Sequence, residues 1–207
     1  MEPHDLWRLE RQYRAQGLEL ICGADEAGAG PLAGDVYAAA VILPFELTPE
    51  GLNDSKQVSP KNRDRLFDLI REQAVAWAVA SVDAATIDEI NILNARLLAM
   101  DRAIQALTPQ PQFALIDGNR DKGIPCPHIA VVKGDSVSAN IAAASILAKV
   151  SRDRYMAELD RQYPQYQLAK HKGYPTKLHY ELIARYGIQP FYRRSFLKKQ
   201  GYWPEDK

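Results

Sequence analysis

Between Ile21 and Gly34 the chain reads ICGADEAGAGPLAG, and this stretch constrains the fold more than any other. An apolar run of strand length, Leu18 to Ala24, stops at two adjacent carboxylates, Asp25 and Glu26. A loop holding Gly23, Gly28, Gly30 and Gly34 around Pro31 follows, and a second apolar run, Val36 to Leu43, begins at once. Glycine lets a backbone turn through conformations that other residues avoid, and lets it approach a ligand closely. Two strands are therefore expected, joined by a loop with an acid pair at its mouth. Such a pair suits a metal site with room for a phosphate. It equally suits a tight turn with a solvated Asp and Glu, since strand-ending turns favour Asp and Gly.

Further elements follow in order. Residues 4 to 14 space Leu6, Leu9 or Glu10, and Tyr13 as a short amphipathic helix. Ala74 to Val82 is a third strand, and three strands this close in sequence imply an antiparallel meander. Between the second and third, Ser59 is an N-cap with Pro60 at the first helical position, ahead of an apolar stripe at Leu66, Phe67, Leu69 and Ile70. Ala84 to Leu107 reads as one helical region, whose apolar positions are core. Gln112 to Ile116 and His128 to Val132 are short strands, with Asp117-Gly118 after the first and Gly134-Asp135 after the second. A long helix from Val137 to Gln162 opens on IAAASILA, a run apolar enough to be buried on several sides. Beyond Pro164 a Gly-Tyr-Pro turn, a capping Thr176 and a helix from there to Tyr186, closed by Gly187, form an appendage. The chain divides into a body, 1 to 164, and an extension, 165 to 207.

Asp25, Asp117 and Asp135 each stand where an apolar run stops near a glycine. In an open α/β sheet, ligands bind beyond the carboxyl ends of the strands, so the three converge if those strands are parallel neighbours. The connection from Asp117 to His128 is about ten residues, near the lower limit for a parallel crossover. Converging carboxylates without Cys or His partners favour Mg²⁺ or Mn²⁺ over zinc. Two such ions ~3.5–4 Å apart are the usual arrangement for phosphodiester cleavage. Taken singly, each Asp is equally a turn former.

Composition narrows the classes. With 207 residues, 46% of them hydrophobic and 25% charged, the chain has enough for one substantial core. Met1 to Gly17 is charged and no apolar run is long enough to cross a bilayer, so a cytoplasmic protein without membrane attachment is expected. Cys22 and Cys126 form neither a disulfide framework nor a CxxC motif. The net charge of zero hides a division. Residues 170 to 207 carry nine Lys or Arg against three acids, +6, which leaves −6 on residues 1 to 169. An acidic body and a basic tail fit a metal-holding core with a polyanion-holding extension.

DEAGAGPLAG (25 to 34), LNDSK (52 to 56), IDG (116 to 118), VVKGD (131 to 135), AASILAKVSRD (143 to 153), HKGYPT (171 to 176) and RRSF (193 to 196), in this order and at these separations, resemble type 2 ribonuclease H, the bacterial ribonuclease HII. The resemblance spans roughly residues 18 to 196. It implies an RNase H-like fold: a five-stranded mixed sheet, three antiparallel strands then two parallel, flanked by helices, with a small helical C-terminal extension. It implies a monomer that cleaves the RNA strand of RNA–DNA hybrids and cuts 5′ of single ribonucleotides in duplex DNA, leaving 3′-hydroxyl and 5′-phosphate ends. It also implies that Asp25, Glu26, Asp117 and Asp135 bind Mg²⁺ or Mn²⁺ and carry catalysis. Gly28, Ala29 and Gly30 would read the ribonucleotide, Lys56 and Lys149 would lie near phosphates, and Tyr174 would pack on the sugar at the junction.

Family-blind, both lysines are as readily solvent-facing, and Tyr174 as readily braces the turn before Pro175. His171 and His179 have no zinc-pair spacing. One departure stands out. The family pattern has Gly-Arg-Gly where this chain has Gly28-Ala29-Gly30, which removes a long cation from the loop that reads the 2′-hydroxyl. Asp35, where the family often has an apolar residue or Pro, is a lesser departure. Two alternatives to an active ribonuclease stand beside it: a junction-binding module without efficient turnover, which Ala29 would produce, and a phosphate-binding small-molecule enzyme using the glycine loop. The last lacks both GxxxxGK[ST] and GxGxxG.

Overall fold

A computed structural model of the chain describes residues 5–52, 58–199 and 201. The first two apolar runs form β1 (Ile21–Ala27) and β2 (Val36–Ile42), and the third forms β3 (Ala76–Val82). β1 pairs antiparallel with β2 and β2 antiparallel with β3. β4 (Phe113–Asp117) lies parallel to β1, and β5 (His128–Val131) parallel to β4, giving the order β3-β2-β1-β4-β5. This is the topology that the resemblance implies. The short crossover from β4 to β5 is made without a helix, through turns in which Gly118 and Gly123 have φ of 112° and 105°.

Helices cover both faces. The sequence carries them as α1 (Arg8–Arg14), α2 (Pro60–Gln73), α3 (Ala84–Ile90), α4 (Ile92–Gln105) and α5 (Ala139–Gln162), then the short α6 (Leu168–His171), α7 (Lys177–Tyr186) and α8 (Arg194–Lys199). Alternation along β2 decides which helix meets which residue. Ala38 and Ala40 pack with Ala95, Ala99, Met100 and Ala103 of α4, while Ala39 and Val41 pack with Leu66 and Ile70 of α2 and Ala143 and Ile146 of α5. α5 lies close against the sheet because β1 has no side chain at Gly23, where a Cβ would collide with the backbone nitrogen of Ile141. Among the described residues no helix is long and apolar enough to cross a membrane.

Two boundaries differ from expectation. β1 starts and ends three residues later than its apolar run, so Asp25 and Glu26 lie inside the strand, opposite Ala39 and Ala38. The small alanines of β2 allow the ladder to continue past the hydrophobic stretch. The helical region over 84–107 breaks in two at Asn91, which has φ 65° and accepts from the amides of Leu93 and Asn94, so it ends α3 and caps α4. The Asn91 side chain satisfies donors that a helix start leaves open, and its positive φ turns the chain between the two helices.

The segment after Pro164 builds a third cluster. Tyr166, Leu168, Leu182, Ile183, Tyr192 and Leu197 pack on Met156 and Leu159 of α5 and on Leu32 and Ala33 of the glycine loop. Thr176 caps α7 through the His179 amide and Gly187 ends it, as the sequence predicts.

Candidate active site

Adjacent residues on a strand face opposite sides, so Asp25 follows Ala39 towards α5 and Glu26 follows Ala38 towards α4. Asp117 ends β4, the parallel neighbour of β1. One carboxylate oxygen from each of Asp25, Glu26 and Asp117 lies within 4.8 Å of the other two. Asp25 accepts from the Glu26 amide at 2.7 Å, and Asp117 from the Gly134 amide at 2.7 Å, which fixes both rotamers. Asp135, on a single 3-10 turn at Gly134–Ser136, is buried and its charge acts on Asp25, but it lies outside the three-oxygen group.

Burial dominates the electrostatics. It raises the Asp25 pKa well above the usual carboxylate range, and the charges of Glu26 and Asp117 push it the same way. Burial also raises Glu26, against the opposing charge of Arg96, whose Nη1 lies 3.2 Å from Glu26 Oε1. Glu26 Oε2 is buried with no hydrogen-bond partner. An orphaned buried oxygen beside two further carboxylates fits a hard divalent cation bound through oxygen. Asp25, Glu26 and Asp117 are the residues that could hold it.

These acids open into a cavity of about 260 Å³, lined also by Gly28, Ala29, Gly30, Ser145, Lys149, Arg152 and Tyr174. The expected substrate residues are thus brought together, except Lys56, which lies outside the described residues. Lys149 lines the wall while paired with Asp153 at 2.6 Å. Tyr174 is 43% exposed, and its ring stands beside Gly30. A flat ring in the open next to a side-chain-free backbone can take a sugar or base face.

Two arginines that the sequence reading gave no role hold the loop. Arg193, fully buried, donates to the carbonyls of Gly28, Ala29, Pro31 and Gly34 at 2.7–3.2 Å. Arg152 donates to those of Ala33, Asp35 and Lys172 at 3.1–3.2 Å. Gly28, at φ 94°, leaves the space that the Arg152 side chain fills. Burial lowers the pKa of both guanidinium groups, and the Asp35 carboxylate opposes this. Asp35 is itself held by Tyr155 and Ser81, so the unusual acid supplies counter-charge to two buried cations. SRD and RRSF carry Arg152 and Arg193, and the place of each within a motif of the resemblance was the available signal. Arg96 gave a fainter one, a charge in an otherwise apolar stretch of α4.

The family model described as Ribonuclease HII matches residues 22–199. The Ribonuclease HII of Vibrio parahaemolyticus is 56% identical over 181 residues, 87% of this chain and 86% of that protein. The Ribonuclease HII of Vibrio campbellii is 55% identical over 87% of this chain and 85% of its own. Among solved structures, ribonuclease H2 from Pyrococcus horikoshii OT3 superposes with a TM-score of 0.73 at 26% identity, covering 89% of this chain and 97% of that one.

Proposed function

This chain belongs to the ribonuclease HII family, nucleases acting on RNA–DNA hybrids, and we propose that it also cuts 5′ of single ribonucleotides embedded in duplex DNA. The products would carry 3′-hydroxyl and 5′-phosphate ends. The observation that carries this reading is one cavity that joins a three-carboxylate group to a glycine loop, a lysine and an exposed tyrosine.

In this reading Asp25, Glu26 and Asp117 hold Mg²⁺ or Mn²⁺. Asp135 joins the set because it is buried nearby and its charge reaches Asp25. The bound metal would activate the attacking water and stabilise charge on the leaving oxygen. The chain's own groups do the positioning. The Gly28–Gly30 backbone faces the 2′-hydroxyl, the group by which RNA differs from DNA. Lys149 meets a phosphate by exchanging its Asp153 partner, and Tyr174 packs on the adjoining sugar. Arg193 fixes the loop carbonyls whatever side chain stands at position 29, so Ala29 keeps the loop's shape while giving up a cation. Substrate binding or junction preference is weakened, and the chemistry is retained.

The test is cleavage of a DNA duplex containing one ribonucleotide, with Mg²⁺ or Mn²⁺ and product ends mapped. Asp25→Asn or Asp117→Asn should lower the rate by roughly a hundredfold or more, since even groups that only support metal ligands cost 10–100-fold. An uncut duplex, or cutting that survives both substitutions, would sink the proposal.

A further inference from the structure

The arginines around this site fall into two kinds. Arg152 and Arg193 spend their donors on three and four backbone carbonyls respectively, which is structural work. Arg96 is only 16% exposed at its side chain, yet it reaches Glu26 through a single Nη1 contact of 3.2 Å. Its Nε is buried without a hydrogen-bond partner, and so is the second oxygen of Glu26. An arginine and a carboxylate commonly meet through two parallel bonds, so a one-pronged, half-satisfied pair in a buried place is weakly fastened. The guanidinium also lies over Gly118, next to Asp117. One positive charge therefore stands at the edge of the three-oxygen group, on the α4 side of the sheet.

We propose that Arg96 is a built-in competitor for the metal, neutralising Glu26 through Oε1 and raising the metal concentration at which the acidic group fills. The inference rests on the reading of Asp25, Glu26 and Asp117 as metal ligands. The sign of one effect separates it from an orienting role. A cation fixed a few ångströms from a divalent ion repels it, so removing that charge tightens metal binding. An arginine that served to orient Glu26 for coordination would act in the opposite sense, and its loss would loosen the metal.

The experiment is a Mn²⁺ titration without substrate, by calorimetry and by the electron paramagnetic resonance signal of free Mn²⁺, at one pH of about 8. Arg96→Met should lower the Kd roughly three- to tenfold, the scale of one screened unit charge on a divalent ion at this range. Arg96→Gln, which keeps a polar group without the charge, should do the same and carries the comparison should the Met variant fail to fold. Arg96→Lys, which keeps the charge, should stay close to wild type. A Kd that is unchanged or weaker in the neutral variants overturns the proposal, as does a Lys variant as tight as the neutral ones. Asp25→Asn distinguishes the two levels. If it loses Mn²⁺ while the Arg96 variants match wild type, the competitor role alone falls. If it binds Mn²⁺ as wild type does, the metal-site reading falls and takes the competitor with it.

Discussion

A methyl group at position 29 sits half-buried between two glycines, in the loop that faces the cavity. The carbonyl of Ala29 is already held by Arg193, so the main chain there does not depend on the side chain. What an arginine would add is a charge-assisted contact to phosphate. Ala29→Arg is expected to lower KM for a duplex with a single ribonucleotide roughly three- to tenfold, with kcat little changed, the signature of restored ground-state binding. Steady-state kinetics on wild type and variant would check it, and a change confined to kcat would contradict it. At this scale the acids were legible, since Asp25, Glu26 and Asp117 each follow an apolar run. Arg96 showed only as a charge in an apolar stretch, because its partner lies 70 residues away and helical periodicity carries no trace of a helix-to-strand ion pair.

The glycine loop is held in shape by an element distant in sequence. Arg193 precedes α8, and α8 is held in turn by Asp88 of α3, which accepts from the amides of Arg194 and Ser195. The C-terminal extension thus contributes to the site through the loop carbonyls as well as through Tyr174. Arg193→Lys keeps the charge but cannot span four carbonyls, and buried acceptors left unpaired are costly. It should lower stability by about 2–4 kcal/mol, read as a falling denaturation midpoint, and cleavage should drop even at temperatures where the chain stays folded. Full activity in a stably folded Lys variant would mean that the clamp does not shape the loop. Elements with their own local signals were read well: Ser59 and Pro60 at α2, and Thr176 and Gly187 around α7. The β1 boundary and the break at Asn91 were not, because the first depends on the partner strand's alanines and the second on one residue of positive φ.

Over the whole molecule, two sets of buried titratable groups pull stability in opposite directions with pH. His171 and His179 stack at 4.0 Å in the extension. His171 Nε2 faces the Tyr166 carbonyl while its Nδ1 accepts from the Gly173 amide, and His179 Nδ1 faces the Tyr174 carbonyl, so each ring is satisfied as a neutral tautomer. Burial lowers both pKa values from 6.5, that of His179 to about 4. The unfolded chain therefore binds more protons below 6.5, and this contribution is full above that pH and is lost as pH falls towards about 4. Asp25 and Glu26 run the other way. Their raised values mean that the folded chain retains protons that an unfolded chain releases above 3.8 and 4.5, so without metal they destabilise as pH rises. A metal that binds only the ionised carboxylates removes this second penalty and leaves the histidine contribution untouched. The difference between melting temperatures with Mn²⁺ and with chelator thus isolates the acidic group. It should widen from about pH 5.5 to about pH 8, by several degrees at saturating metal, and flatten in Asp25→Asn. A difference that is constant or narrows with pH would mean that the stabilising ion does not sit on these carboxylates.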